Sequence, residues 1–197
     1  MKPRRALLVD LDGTLVDTSE ANYLAYAEAL APFGVEVERE RWKEATAGRN
    51  WRQFLPALLA DVPGAKPQAV AARKAQIYPL KLVHSVVNQE LAELIARRGP
   101  GCGSALVTTA SAANAAAVLR HHGLERLFDL VVTGADVVRH KPFPDAYRLA
   151  AERLAVLPGE CLVFEDSDVG VAAAAACGAR CVRVSFAPAG ARASTGY

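Results

Sequence analysis

The stretch Ala6-Leu7-Leu8-Val9-Asp10-Leu11-Asp12-Gly13-Thr14 sets the architecture of the chain. Its four apolar residues predict a short buried strand, which two acids and a glycine bring to an end. Successive strand side chains alternate faces, so Asp10 and Asp12 are expected to point the same way. Gly13 permits a sharp turn that aims them into a crevice. Two converging carboxylates repel one another unless a cation or proton intervenes. Taken alone, the same residues also fit an ordinary turn, with Asp12 capping the next segment and Asp10 in solvent.

Beyond this run, Ala105–Val107, Leu130–Val132, Leu162–Phe164 and Cys181–Val184 are four more short apolar stretches. Helices are expected between them at Glu90–Arg98, Ala112–His122, Asp145–Leu154 and Val169–Cys177. Gly123 and Gly178 supply stop signals, and Arg97 and Arg98 suit the negative end of a helix dipole. Short all-apolar strands separated by helices require a parallel sheet covered on both faces, an α/β fold of about five strands. One region breaks the alternation. Ala21–Phe33, Glu38–Ala47, Asn50–Ala60 and Pro67–Lys81 read as four helices with no strand between them, Pro79 being the awkward residue of the last. A single crossover needs only a dozen or so residues. Residues 19–84 are therefore expected to form a small α-helical unit inserted after the first strand, leaving residues 1–18 and 85–197 for the sheet. Open parallel sheets bind ligands at the carboxyl edge from which this unit emerges, so it is placed to act as a lid.

Composition narrows the function classes. The 197 residues are 52% hydrophobic and 22% charged, which excludes disorder for the bulk of the chain. Twenty-three basic residues against 21 acidic ones give a net charge of +2, without the basic stripe of a nucleic-acid or anionic-membrane binder. No apolar run reaches the ~20 residues needed to cross a bilayer. Asp10 and Asp12 cut the first apolar run short, so it does not read as a secretory signal. Cys102, Cys161, Cys177 and Cys181 show neither CxxC pairs nor zinc-type spacing with histidine, and a reduced cytoplasmic setting is expected. The final segment, residues 187–197 (APAGARASTGY), has loop composition and is expected to be poorly ordered at its end.

Three further motifs bear on chemistry. Glu165-Asp166 closes VFED and suits the start of a helix on its own. Beside Asp10 and Asp12 it brings more carboxylates to the same edge, and several oxygen donors with water suit Mg²⁺. Thr108, in ALVTTAS, fits an anion site at a helix start. The plainer role is helix capping shared with Thr109 and Ser111. Lys141, in HKPFPD, reads plainly as a surface lysine. Held by prolines beside acids, it would instead neutralise a phosphate and orient a nucleophile.

In this order, DLDGTLVDT, VTTAS, KPFPD and FEDSDVG resemble the haloacid dehalogenase-like hydrolase superfamily, and more narrowly its phosphatases with a helical cap after the first motif. The resemblance spans Ala6 to Val184. It implies a Rossmann-like sheet and a covalent aspartyl-phosphate mechanism. By motif match Asp10 is the nucleophile and Asp12 the general acid/base, while Thr108 and Lys141 hold the transferring phosphoryl group. Asp166 would bind Mg²⁺ with Asp10 and the Asp12 backbone carbonyl, assisted by Glu165. Dehalogenase members lack the second acid, so Asp12 points to phosphoryl transfer. Mutases of the group carry a histidine where Asn22 stands, which disfavours mutase chemistry. His140 replaces a glycine common in relatives and is read as a surface or structural residue.

The expectation is a Mg²⁺-dependent phosphomonoester hydrolase for a small phosphorylated metabolite, a sugar phosphate or a phosphoglycolate-like compound. A sugar-phosphate mutase is the runner-up, and a catalytically silent binding protein of the same fold is the alternative from another class. Thr109, Asn22, Arg49 and Arg52 are the candidate substrate contacts. The plainer reading, slightly preferred, has Trp51 and Phe54 packing the helical unit and the arginines in solvent. A monomer or homodimer without nucleic-acid or membrane partners is expected.

Overall fold

The computed structural model describes residues 4–46 and 51–186. In chain order the elements are β1 (Arg5–Val9), β2 (Val16–Asp17), α1 (Ser19–Leu30), α2 (Arg39–Thr46), α3 (Trp51–Leu58), α4 (Pro67–Lys81), β3 (Val86–Val87), α5 (Gln89–Ala96), β4 (Cys102–Val107), α6 (Ala112–His121), β5 (Leu130–Val132), α7 (Asp145–Arg153), β6 (Cys161–Glu165), α8 (Asp168–Cys177) and β7 (Arg180–Arg183). Five strands pair in parallel in the order β5-β4-β1-β6-β7, with Val9 opposite both Leu106 and Phe164. Strand order reverses at β1, and the crevice of such a sheet lies beyond the carboxyl ends at that reversal.

The apolar runs of the central strands β1, β4 and β6 are buried because helices cover both faces; those of the edge strands β5 and β7 are not, with Val131 36% and Val182 42% exposed. Ala6 and Leu8 of β1, with Ala105, Val107 and Val163, pack on Ala146, Tyr147 and Ala150 of α7 and on Ala173 and Ala174 of α8. The alanines let both helices approach closely. On the other face Val9, Leu106 and Phe164 meet Leu91 and Ile95 of α5 and Val118 and Leu119 of α6. Cys161 and Cys177 are buried in the first of these layers as small hydrophobes, and all four cysteines are free. No described helix is long and apolar enough to cross a membrane.

Helices α1 to α4 stand between β2 and β3, which pair antiparallel with Val16 opposite Val87. Neither short strand is expected from the apolar pattern. The anticipated ends of α2 and α3 at Ala47 and Asn50 lie outside the described residues, as does the segment 187–197. Pro79 falls near the end of α4, where it removes one intrahelical bond and the helix still runs to Lys81. Tyr26, Trp42 and Phe54 form an aromatic nest, Trp42 lying 5.0 Å from Tyr26 and 5.3 Å from Phe54 between ring centroids. This nest does not stand apart. It belongs to one buried cluster with the α5 and α6 face of the sheet.

Candidate active site at the carboxyl edge of the sheet

Each strand end delivers its motif to one edge. Asp10 follows β1, and its backbone N–H bonds the Phe164 carbonyl at 3.0 Å, which fixes it beside the end of β6. Glu165 closes β6 and Asp166 follows it. One carboxylate oxygen from each of Asp10, Glu165 and Asp166 lies within 4.8 Å of the others. Gly13, at φ +88°, makes the turn and also the space, since a Cβ there would lie 2.3 Å from Asp166 Oδ2. Thr14 donates to Asp166 Oδ1 at 3.2 Å, a contact that no spacing in the sequence announces.

Lys141 reaches this cluster from the loop after β5 and is not solvated. Its side chain is 4% exposed. The ammonium donates to Asp10 Oδ1 at 2.6 Å, to Glu165 Oε1 at 2.5 Å and to the Val107 carbonyl at 3.0 Å. Burial works against the Lys141 charge, but Asp10 and then Glu165 outweigh it and raise its pKa. Burial pushes the Asp10 carboxyl up to about 8 against the pull of Lys141. Asp166 is raised by burial and by the Glu165 charge. Glu165 goes the other way: burial opposes its charge, yet Lys141, Tyr147 and Ser167 hold it below the usual carboxylate range. Its carboxylate accepts from Tyr147 Oη at 2.7 Å and from Ser167 Oγ and N at 3.0 and 3.3 Å, as well as from Lys141. Gly170 leaves the room this requires, because a Cβ there would fall 1.9–2.1 Å from the Glu165 carboxyl group.

An all-oxygen set of three carboxylates fits a hard divalent cation. Asp10 and Asp166 are the two members with capacity to spare, since Glu165 already takes four donors.

The Asp12 carboxylate is not one of this trio and bonds Thr18 at the start of the helical unit, while its charge still acts on Asp10. Its Oδ1 accepts a short hydrogen bond from Thr18, whose hydroxyl in turn accepts from Asn22 Nδ2 at 3.1 Å. Burial raises the Asp12 carboxyl, while Thr18, Lys74 and Lys141 pull it down. Lys74 comes from α4, is 5% exposed, and faces the Tyr78 ring at 3.7 Å and the Tyr26 ring at 5.2 Å. Burial brings its pKa down to about 8. Neither Lys74 nor Thr18 stands out in the sequence. Both lie in ordinary helical or turn contexts, and only a lysine among apolar positions of α4 hints at the first.

The remaining candidates divide. Thr108 is buried, and its hydroxyl accepts from the Ala110 N–H at 3.0 Å, while Ser111 rather than Thr108 caps α6. Among the described hydrogen bonds its own proton has no acceptor. Thr109 is exposed on the same turn, its carbonyl packed against Gly134. Among the described hydrogen bonds Asn22 reaches Asp12 through Thr18. Arg52 is exposed and its guanidinium lies 4.5 Å from the Trp51 ring centroid, while Phe54 is buried in the nest. Arg49 lies outside the described residues. The His140 side chain is exposed.

The chain also matches proteins of known function and structure. A family model for haloacid dehalogenase-like hydrolases matches residues 4–178. The chain is 33% identical to the fructose-1-phosphate phosphatase YqaB of Escherichia coli, over 90% of this chain and 95% of that one. It is 30% identical to a phosphorylated carbohydrates phosphatase of Thermotoga maritima, over 88% and 81% of the two. Among solved structures, CbbY of Rhodobacter sphaeroides in complex with phosphate superposes with a TM-score of 0.83 at 29% identity, covering 93% of this chain and 87% of that one.

Proposed function

The chain belongs to the haloacid dehalogenase-like hydrolase family, and on that footing we propose that it is a Mg²⁺-dependent phosphatase of small phosphorylated sugars, working through an aspartyl-phosphate on Asp10. The observation that carries the reading is the buried Lys141 ammonium 2.6 Å from Asp10, with Asp166 beside them. A phosphate ester dianion repels an attacking carboxylate, so positive charge must gather before Asp10 can approach. Lys141 supplies one such charge. Mg²⁺ held by Asp10, Asp166 and the Asp12 carbonyl would supply the rest and keep Asp10 ionised.

Asp10 attacks phosphorus in line, and the phosphorus–oxygen bond to the alcohol breaks. Asp12 protonates the departing alkoxide, then takes a proton from the water that cleaves the acyl phosphate. Its raised pKa suits the acid step, and burial rather than neighbouring acids raises it. Thr108 donates its free hydroxyl proton to a phosphoryl oxygen. The helical unit at residues 19–84 acts as the cap that brings Lys74 and Asn22 over the leaving group. We place the reaction in the cytoplasm.

A screen of fructose 1-phosphate, other sugar phosphates, phosphoglycolate and nucleotides, with and without MgCl₂, tests this. Release of inorganic phosphate that requires Mg²⁺ and prefers sugar phosphates is expected. Isomerised sugar phosphate without release would make the chain a mutase, and no turnover of any ester would leave a binding protein.

A further inference from the structure

We propose that Tyr147 is a positioning residue whose hydroxyl lets Lys141 leave Glu165 and follow the transferring phosphoryl group; this rests on the phosphatase reading above. An ammonium has three N–H bonds. Those of Lys141 are fully used, by Asp10, Glu165 and the Val107 carbonyl. To hold a phosphoryl oxygen, the lysine must release one of these acceptors.

The acceptors are not equivalent. Releasing Asp10 would strip the nucleophile of the one cation bonded to it among the described residues. Of the two carboxylates Glu165 loses less, because Tyr147 and Ser167 provide three other donors to it. A buried acceptor left without a donor bears its full desolvation cost. The two Ser167 bonds serve Oε2. Among the described residues only Tyr147 shares Oε1 with Lys141, at 2.7 Å, so it keeps that oxygen bonded once the lysine turns away.

Packing fixes the hydroxyl in place. Tyr147 is fully buried between α7 and the sheet, among Ala6, Leu8 and Val107. Its ring also lies 5.0 Å from the Lys141 nitrogen, close enough to favour the cation throughout a short movement. Without the hydroxyl, Oε1 of a carboxylate with no exposure depends on Lys141 alone. The lysine is then retained on Glu165 and withheld from the transition state.

Tyr147→Phe keeps the ring and removes only the donor. With saturating MgCl₂, kcat on p-nitrophenyl phosphate and on a sugar phosphate is expected to fall about tenfold or more, the worth of a charge-assisted hydrogen bond. KM is expected to stay within about twofold, because the lost interaction matters in the transition state. A crystal structure of the variant should show Nζ drawn onto Glu165 and farther from Asp10. Unchanged kcat with a lowered melting temperature would make Tyr147 merely structural and overturn the proposal. A higher MgCl₂ requirement in the variant than in the wild type, with kcat equal once both are saturated, would overturn it too, by assigning the hydroxyl to the metal site. Should the wild type release phosphate from no ester, the phosphatase reading fails by itself, and the Nζ position in the variant still decides what the hydroxyl does.

Discussion

Lys74 shows what a single residue reveals. An ammonium 5% exposed, with two tyrosine rings for company, is held at a cost to stability. Its pKa falls from 10.5 to about 8, so the native state disfavours the charged form. Below pH 8 that cost is present in full, and it is relieved as pH rises from about 8 to 10.5, where the unfolded chain still holds the proton. Lys74→Met is therefore expected to stabilise the protein at pH 7 by up to about 3 kcal/mol, measured by urea denaturation. The gain should shrink above pH 8, and a destabilised variant at pH 7 would contradict this. Keeping such a residue is typical of a functional site. Asp10, Asp12, Thr108, Lys141, Glu165 and Asp166 could be picked out from sequence because each stands just past an apolar run or, for Lys141, directly before a pair of prolines. Lys74 and Tyr147 could not, since helix patterns supply such residues everywhere and only the fold brings them to the acids; Thr14 and Thr18 lie in the first motif, but nothing in it marks their bonds to Asp166 and Asp12.

At the scale of elements, the turn after β6 and the start of α8 are built around a missing Cβ. Gly170 lies in α8 with the Glu165 carboxyl group where its side chain would be. Gly170→Ala must push out either the carboxylate or the helix, at about 1–3 kcal/mol in stability. It should also cut kcat, because Glu165 and Lys141 move together. A variant with native melting temperature and full turnover would show that the carboxylate has another place to go. Strands β1, β4 and β6 were legible because a strand buried on both faces is apolar nearly throughout; β5 and β7, at the sheet's edges, are partly exposed and offered shorter apolar cues. The pair β2 and β3 was not legible. Two residues carry no periodicity, and Val86 is exposed. Asn88, directly after β3, caps α5 through Leu91 and bonds the Leu15 carbonyl at 2.8 Å, so the second crossing is tied to the Asp10 turn. Such a tie between distant segments has no local signature.

For the whole molecule, the four-helix insertion could be read as an interruption of strand and helix, and α1 to α4 follow the expected order. Its fusion with the α5 and α6 face into one apolar cluster could not, because packing between segments far apart in the chain leaves no trace in spacing. Binding of a divalent ion to the native state alone raises stability by mass action, about 2.7 kcal/mol at a hundred times the dissociation constant. MgCl₂ is expected to raise the melting temperature of the wild type and to leave Asp166→Ala nearly unmoved; an equal shift in both would take Asp166 out of the metal site. The covalent step itself can be caught by quenching the enzyme in acid during turnover of a sugar phosphate and mapping its peptides by mass. One phosphoryl group on the peptide carrying Asp10, absent from Asp10→Asn, is predicted. Rapid phosphate release from an enzyme that never carries the group, or carries it elsewhere, would contradict it.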